Sequence, residues 1–461
     1  MNSIEDKVAS SMLRLDMMPL GRFHRKLVAV SGVGWMFDSM DVGLISFIVA
    51  TLAREWKLSP GQVAWLISIG LLGMLVGAAT AGSLADRFGR KPMFQATLLI
   101  FSVSTGLCGL AWSYAALIAT RFLVGFGLGG ELPIASTLVS EFSPAKWRGR
   151  LLVILESFWA YGWVLAALIA YFVIPRYGWR VAFLLGTLPA FYVFVLRRAI
   201  PESPRFLFSK GRASEAIAVI RAVEMAAEIT PTNETVQQRQ PANVVQPSEE
   251  GTFQRFLELW SRSNLRRTVM LWVLWFTIVF SYYGIFTWLP TLLAEGGRSL
   301  TKSFAYVLII TVAQIPGYFS AAYLVDRVGR KWTLAPYLFM TAVGAYFFRN
   351  AGTGAEILFW GSFISFFNLG AWGVVYTYTP ELYPTRIRGT GVGWAAACGR
   401  FAGVLAPLVI GQMLGRWGAG YESVFLLLAA VLLVSAINVV LLGEETKGQT
   451  LEEIAGKGSW S

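Results

Sequence analysis

Twelve apolar runs of about 20 residues recur along the chain, near 27–52, 62–84, 92–112, 114–140, 151–174, 179–197, 268–290, 303–325, 332–349, 356–379, 391–415 and 421–442. A hydrocarbon core of roughly 30 Å is crossed by about 20 helical residues, so each run is long enough to span a bilayer. In lipid, a segment must satisfy its own backbone polar groups. Strand-like alternation is absent, so the runs are expected to be helices. Composition points the same way: 55% of the 461 residues are hydrophobic and only 14% are charged, against about a quarter in a soluble protein. The first run is too long for the apolar core of a cleavable signal and is expected to remain as an anchor.

The net charge of +12 could suit nucleic acid, but the cations are sorted by side. With both termini on one side, that side collects 29 Lys and Arg and the opposite side 8, with Arg121 and Arg400 inside runs. This asymmetry makes the terminal side cytoplasmic and argues against nucleic acid as a partner. Cys108 and Cys398 fall in separate runs and imply no disulfide framework. The single histidine, His24, leaves no histidine-based metal site, and no cofactor is implied.

The longest polar interval divides the runs six and six. The expected organisation is a cytoplasmic segment 1–26, a six-helix half 27–198, a cytoplasmic linker 199–267, a second half 268–442 and a cytoplasmic tail 443–461. The Gln/Pro/Asn-rich centre of the linker, Pro231–Gly251, reads as flexible. After it, Phe253, Phe256, Leu257 and Trp260 recur at helical spacing, as in a helix lying along a membrane face. The halves also repeat. "DRFGRK" at Asp86–Lys91 returns 240 positions later as "DRVGRK" at Asp326–Lys331. The same offset carries Glu141 to Glu381, Pro144 to Pro384, Arg148 to Arg388 and Gly149 to Gly389. A parallel duplication of six spans suits a transporter with its site between the halves.

These motifs resemble those of the major facilitator superfamily. "GSLADRFGRK" (Gly82–Lys91) is similar to its loop signature and "RFLVGFGLGG" (Arg121–Gly130) to its fourth-span motif. "PESPRFL" (Pro201–Leu207) and "EETKGQTLEEI" (Glu444–Ile454) resemble its sugar-porter domain ends, with Glu444 where a proline is usual. "GWMFDSMDVGLISFI", "GGELPIASTLVSE" and "LESFWAYGW" are similar to the bacterial niacin permease branch, next to aromatic-acid:proton symporters. The resemblance implies twelve helices in two six-helix halves, a multi-pass protein of the bacterial inner membrane, and alternating access by a monomer that is not an enzyme. It also implies an inner-side ion-pair latch of Asp86, Arg90, Glu141 and Arg148, mirrored by Asp326, Arg330, Glu381 and Arg388.

Six charged residues fall inside the spans: Asp38, Asp41, Arg121, Glu131, Glu156 and Arg400. Each costs at least ~2.5 kcal/mol at mid-membrane on insertion scales, so pairing or a polar cavity is expected. Asp41 and Arg121 align with the first-span aspartate and fourth-span arginine of proton-coupled sugar porters. By that resemblance, Asp41 takes the proton while Arg121 opposes desolvation in setting its affinity. Asp38, three residues earlier, shares its helix face and can repel it. Glu131 and Glu156 are further candidates for a proton path, Glu131 also as a packing residue. Arg400, in the second half, suits a carboxylate. Tyr282, Tyr283, Phe286, Trp288, Phe366, Phe367, Trp372, Tyr376 and Tyr378 gather on spans seven and ten, with Trp159 on span five and Asn368 supplying an amide. An aromatic wall with an arginine points to a flat aromatic monocarboxylate carried with a proton, nicotinate (niacin) first. Benzoate-type acids, sugars, organic cations and a non-transporting receptor or sensor are the alternatives.

Overall fold

The computed structural model describes residues 14–15, 17–144, 147–226, 252–384 and 387–447, without the side chains at 82, 83, 86, 132, 133, 197, 209, 252 and 253. The flexible centre of the linker at 231–251, the tail beyond 447, and the side chains of Asp86 and Phe253 lie outside that description.

Among the described residues, eleven helices are long and apolar enough to cross a membrane. They are Arg22–Glu55, Pro60–Ala81, Arg90–Gly109, Tyr114–Phe142, Arg148–Phe172, Ile174–Leu196, Leu265–Phe286, Leu300–Arg327, Gly354–Leu382, Arg388–Leu414 and Tyr421–Leu442. A further helix of 19 residues, Arg330–Phe348, holds the ninth place and completes the twelve. Its opening Arg330 and Lys331 dilute its apolar character. Spans six and eight are each built from two consecutive helices, the breaks falling at 186–188 and Ala313.

Local chemistry sets where the helices begin. On the side away from the termini, spans two, four, eight and ten start on a hydroxyl cap. Ser59, Ser113, Ser299 and Thr353 accept the backbone N–H of Gln62, Ala116, Lys302 and Glu356, meeting donors that a helix start leaves unpaired. On the terminal side, spans three and nine start after Gly89 and Gly329, at φ +108° and +111°, a backbone region that disfavours side chains. There the Glu202 carboxylate accepts the Arg90 N–H at 3.1 Å, and the Glu445 carboxylate accepts the Arg330 N–H at 2.9 Å. An anion at a helix N-terminus is favoured by the aligned peptide dipoles.

The halves pack alike. Span two lies on four, one on five and three on four; in the second half, eight lies on ten, seven on eleven and nine on ten. Glycines let the backbones approach: a Cβ on Gly125 would fall 1.9 Å from the Gly70 carbonyl oxygen, and one on Gly317 2.2 Å from that of Phe366. The halves meet through span two against eleven and five against eight. Their contacts on the side away from the termini include Arg54, which donates to the Ala294 carbonyl at 2.7 Å, and Phe47, edge-on to Phe304. There a Cβ on Gly411 would meet Ala64 at 2.4 Å. That side is closed.

Beyond the spans, the helix Thr252–Leu259 follows the linker. Phe256 packs on Trp394 and Trp260 on Trp272, joining it to spans eleven and seven, while Leu257 is exposed.

Candidate functional site

Two polar features occupy the middle of the molecule. The first is an ion pair. Asp41 is 1% exposed, and its Oδ2 accepts Arg121 Nη1 at 2.9 Å. Thr105 on span three donates its hydroxyl to Oδ1 at 2.8 Å. The Gly70–Gly125 approach seats span four against span two, and Arg121 Nη2 lies 3.3 Å from where a Gly70 Cβ would stand. A side chain at position 70 would therefore crowd the guanidinium. A narrow cleft lined by Arg121, Leu71, Met74, Tyr283 and Thr287 leads from this pair to the second half.

The second feature is a cavity of about 70 Å³ between the halves. Its lining follows helical spacing: Trp275, Val279 and Tyr283 on span seven, Trp372 and Tyr376 on ten, Ala396, Arg400 and Gly403 on eleven. The first half contributes Trp35, Leu71, Met74 and Trp159. Leu71, Met74 and Tyr283 belong to both the cleft and the cavity, so the two are neighbours. Among the described residues, the electrostatic neighbours of Arg400 are Tyr376 and Tyr283 rather than a carboxylate. Trp275 is edge-on to Tyr376 at 5.2 Å and its indole N–H donates to Thr379 at 3.0 Å, which fixes the ring.

Of the substrate-binding candidates, Arg400, Tyr283, Trp372 and Trp159 line the cavity. Three do not. Tyr282 is fully buried behind it, where its hydroxyl accepts the Trp159 indole N–H at 2.7 Å. Phe367 points into the packing between spans nine and ten, against Tyr337 and Phe363. Asn368 stands one turn before Trp372, fully buried, with both amide atoms unpartnered among the described residues. Trp35 and Trp275 are lining residues that the sequence reading passed over. They are 240 positions apart, so the repeat offset itself was a signal that could have found them.

Among the proton candidates, Asp41 meets Arg121, while Asp38 and Glu131 meet each other. The expected repulsion between Asp38 and Asp41 is thus secondary, because Arg121 and Thr105 occupy Asp41. Glu156 is buried on span five, within electrostatic reach of Tyr318 and Tyr376 across the interface.

The latch candidates lie at the terminal side. Arg90 pairs with Glu141 at 3.6 Å and Arg330 with Glu381 at 2.9 Å, each pair within one half. Arg148 donates to the Ser140 and Ser143 carbonyls and Arg388 to that of Tyr383, while Asp326 is exposed. Glu444, at the position where a proline is usual, takes Arg267 in a two-bonded pair at 3.0 and 2.7 Å.

The family model for sugar (and other) transporters matches residues 30–457. This chain belongs to that family. It is a multi-pass transporter of the bacterial inner membrane, with the twelve-helix major facilitator fold. It is similar to the niacin transporter NiaP of Acinetobacter baylyi, at 51% identity over 96% of this chain and 98% of that protein. The putative niacin/nicotinamide transporter NiaP of Bacillus subtilis is 45% identical, over 93% of this chain and 98% of that one. The organic cation/carnitine transporter 7 of Arabidopsis thaliana is 31% identical, over 95% and 94%. Among solved structures, the partially occluded inward-open xylose transporter XylE of E. coli matches with a TM-score of 0.74 at 19% identity, covering 93% of this chain and 99% of that one. At that identity the likeness shows the fold alone.

Proposed function

We propose that this transporter carries nicotinate, or a closely related small aromatic carboxylate, into the cell together with a proton. The observation that carries the reading is Arg400 facing an aromatic cavity, and the two niacin-named relatives support it. A guanidinium binds a carboxylate through two parallel charge-assisted hydrogen bonds. Trp35, Trp159, Trp275 and Trp372 offer faces for a flat ring, worth about 0.5–1.5 kcal/mol per aromatic pair beyond area burial.

The proton answers an electrical problem. An interior-negative potential opposes uptake of one negative charge by about 2.3 kcal/mol per 100 mV, and moving a proton with the carboxylate removes that penalty. Asp41 is the residue that takes the proton in this reading. Protonating it weakens its hold on Arg121, which lies on the cleft leading to the cavity. Release to the cytoplasm and reopening on the other side follow as the halves rock about spans two, five, eight and eleven. The terminal-side pairs Arg90–Glu141 and Arg330–Glu381, with Asp86, Arg148, Asp326 and Arg388, act as the latch for the opposite state. The protein works as a monomer, is not an enzyme, and keeps its linker and both ends in the cytoplasm.

A cationic cargo is the second reading, favoured by the buried Glu156 and by the Arabidopsis relative. The deciding experiment is radiolabelled uptake into proteoliposomes with an imposed pH gradient, comparing nicotinate, nicotinamide, benzoate, a hexose and an organic cation. Nicotinate uptake that rises with the gradient is expected. Preference for the cation would reverse the choice, and no uptake of any compound would point to a sensor.

A further inference from the structure

Away from the Asp41–Arg121 pair, two buried acids meet, and among the described residues no cation is paired with either. Asp38 on the first span is 1% exposed and Glu131 on the fourth is 0% exposed. Each carboxyl is the other's side-chain hydrogen-bonding neighbour. Among the described residues, none of their four oxygens accepts a hydrogen bond from an N–H or O–H group.

The surroundings are shaped to this arrangement. Gly34 lies one helical turn before Asp38, and a Cβ there would stand 2.8 Å from Glu131 Oε1 and 3.2 Å from the Phe94 ring. The missing side chain is what lets the glutamate reach the first span. The other titratable and charged groups nearby are engaged elsewhere. Arg121 is bound to Asp41, and Thr105 occupies the second Asp41 oxygen. Tyr192, beside Glu131, donates its hydroxyl to the Val30 carbonyl at 3.0 Å. Glu156 on span five faces Tyr318 and Tyr376 instead.

Two carboxylates in contact, buried and without a counter-cation, cannot both stay ionised: each buried charge costs several kcal/mol and the two repel. A proton on one gives the other the donor it lacks. We propose that Asp38 and Glu131 share a proton at neutral pH and form a second protonation site, distinct from Asp41. Its place in the membrane gives it a role. Asp38 is about one turn from Asp41 toward the terminal side, and span four runs the opposite way, so Glu131 is ~15 Å nearer that side than Arg121. The pair therefore sits on the cytoplasmic flank of Asp41 and acts on it as a positioning element. When the pair loses its proton it adds negative charge beside Asp41 and strengthens that residue's grip on its own proton. The effect on transport rests on the proton-coupled reading above, whereas the shared proton itself does not.

Infrared difference spectra of the full-length, lipid-reconstituted protein at pH 7, in water and heavy water, test the shared proton without substrate or gradient. Wild type is expected to show a protonated-carboxyl C=O stretch that is shifted or lost in both Glu131→Gln and Asp38→Asn. Each amide copies the shape of a protonated acid, and thermal unfolding checks that both variants fold. A band unchanged in position and intensity in either variant overturns the proposal. In uptake, both variants remove negative charge near Asp41, so the alkaline limit of transport should move down by about one pH unit. An unmoved limit with altered spectra overturns the positioning role. Wild-type uptake that does not respond to the imposed gradient, with altered variant spectra, leaves the shared proton standing and instead overturns the proton-coupled reading.

Discussion

The two halves share a fold and a repeat register but not the charges inside their spans. At the 240-residue offset, Trp35 is answered by Trp275, and both line the cavity. The acids are not answered: Asp38 meets Ile278, Asp41 meets Ser281, Glu131 meets Ala371 and Glu156 meets Ala396. Arg121 is answered by Gly361, and Arg400 by Ala160 in the first half. Duplication therefore preserved the packing of spans one with five and two with four, while the titratable chemistry became concentrated in the first half and the cavity-facing cation in the second. The physical consequence is a division of labour across one interface. In the proposed reading, the carboxylate cargo at Arg400 and the proton at Asp41 lie in different halves, so relative motion of the halves would change both environments together.

The sharpest way to break this comparison is Asp41→Asn. Gradient-driven uptake should be abolished, while exchange of labelled for unlabelled substrate across the vesicle wall persists. Full gradient-driven accumulation in the variant would remove the first half from coupling. Next, Arg400→Ala should weaken nicotinate binding by about 10- to 100-fold, the value of a lost charged hydrogen-bonded contact, and nicotinamide binding far less. Equal losses for acid and amide would take the arginine out of recognition.

Stability probes the shared scaffold. Gly125→Ala drives a Cβ into the Gly70 carbonyl and should cost about 1–3 kcal/mol, whereas Gly149→Ala, with nothing within 4 Å of its Cβ, should be near neutral. Thermal melting in detergent reads both, and equal melting points would contradict the close approach of spans two and four. The smallest effect concerns the paired tryptophans. Trp275→Phe gives up a hydrogen bond to Thr379, worth about 0.5–1.5 kcal/mol. Trp35→Phe, whose indole N–H lies beside the Glu156 carboxyl without a hydrogen bond of normal geometry, should lose less. The reverse order in melting would show that the two faces of the cavity are braced differently from this account.

Glu131 shows where sequence reasoning stops. Its helix, its depth and its cost in lipid are all legible from the run around it, yet packing and proton-path readings stayed equally open. The choice turns on Gly34, 97 positions away, whose absent side chain admits the carboxyl to Asp38. Phe367 teaches the converse. Its aromatic character and its place beside Asn368 suggested the cavity, but helix rotation turns it onto Tyr337 instead. Adjacent positions on a helix differ by about 100° in direction, and composition cannot say which direction is inward.

The sequence alone determined the solvent, the twelve-helix count, the duplication and the family, because each rests on local properties: run length, charge sorting and motif spelling. It also singled out Asp41, Arg121 and Arg400, because a charge in lipid is expensive wherever it points. Only the tertiary structure decided the partners. Thr105 joins Arg121 on Asp41, Glu131 faces Asp38, and Tyr282 stands behind the cavity wall rather than in it. Those outcomes depend on how closely helices approach and how each is rotated, which is set by glycines and side-chain volumes far apart in the chain.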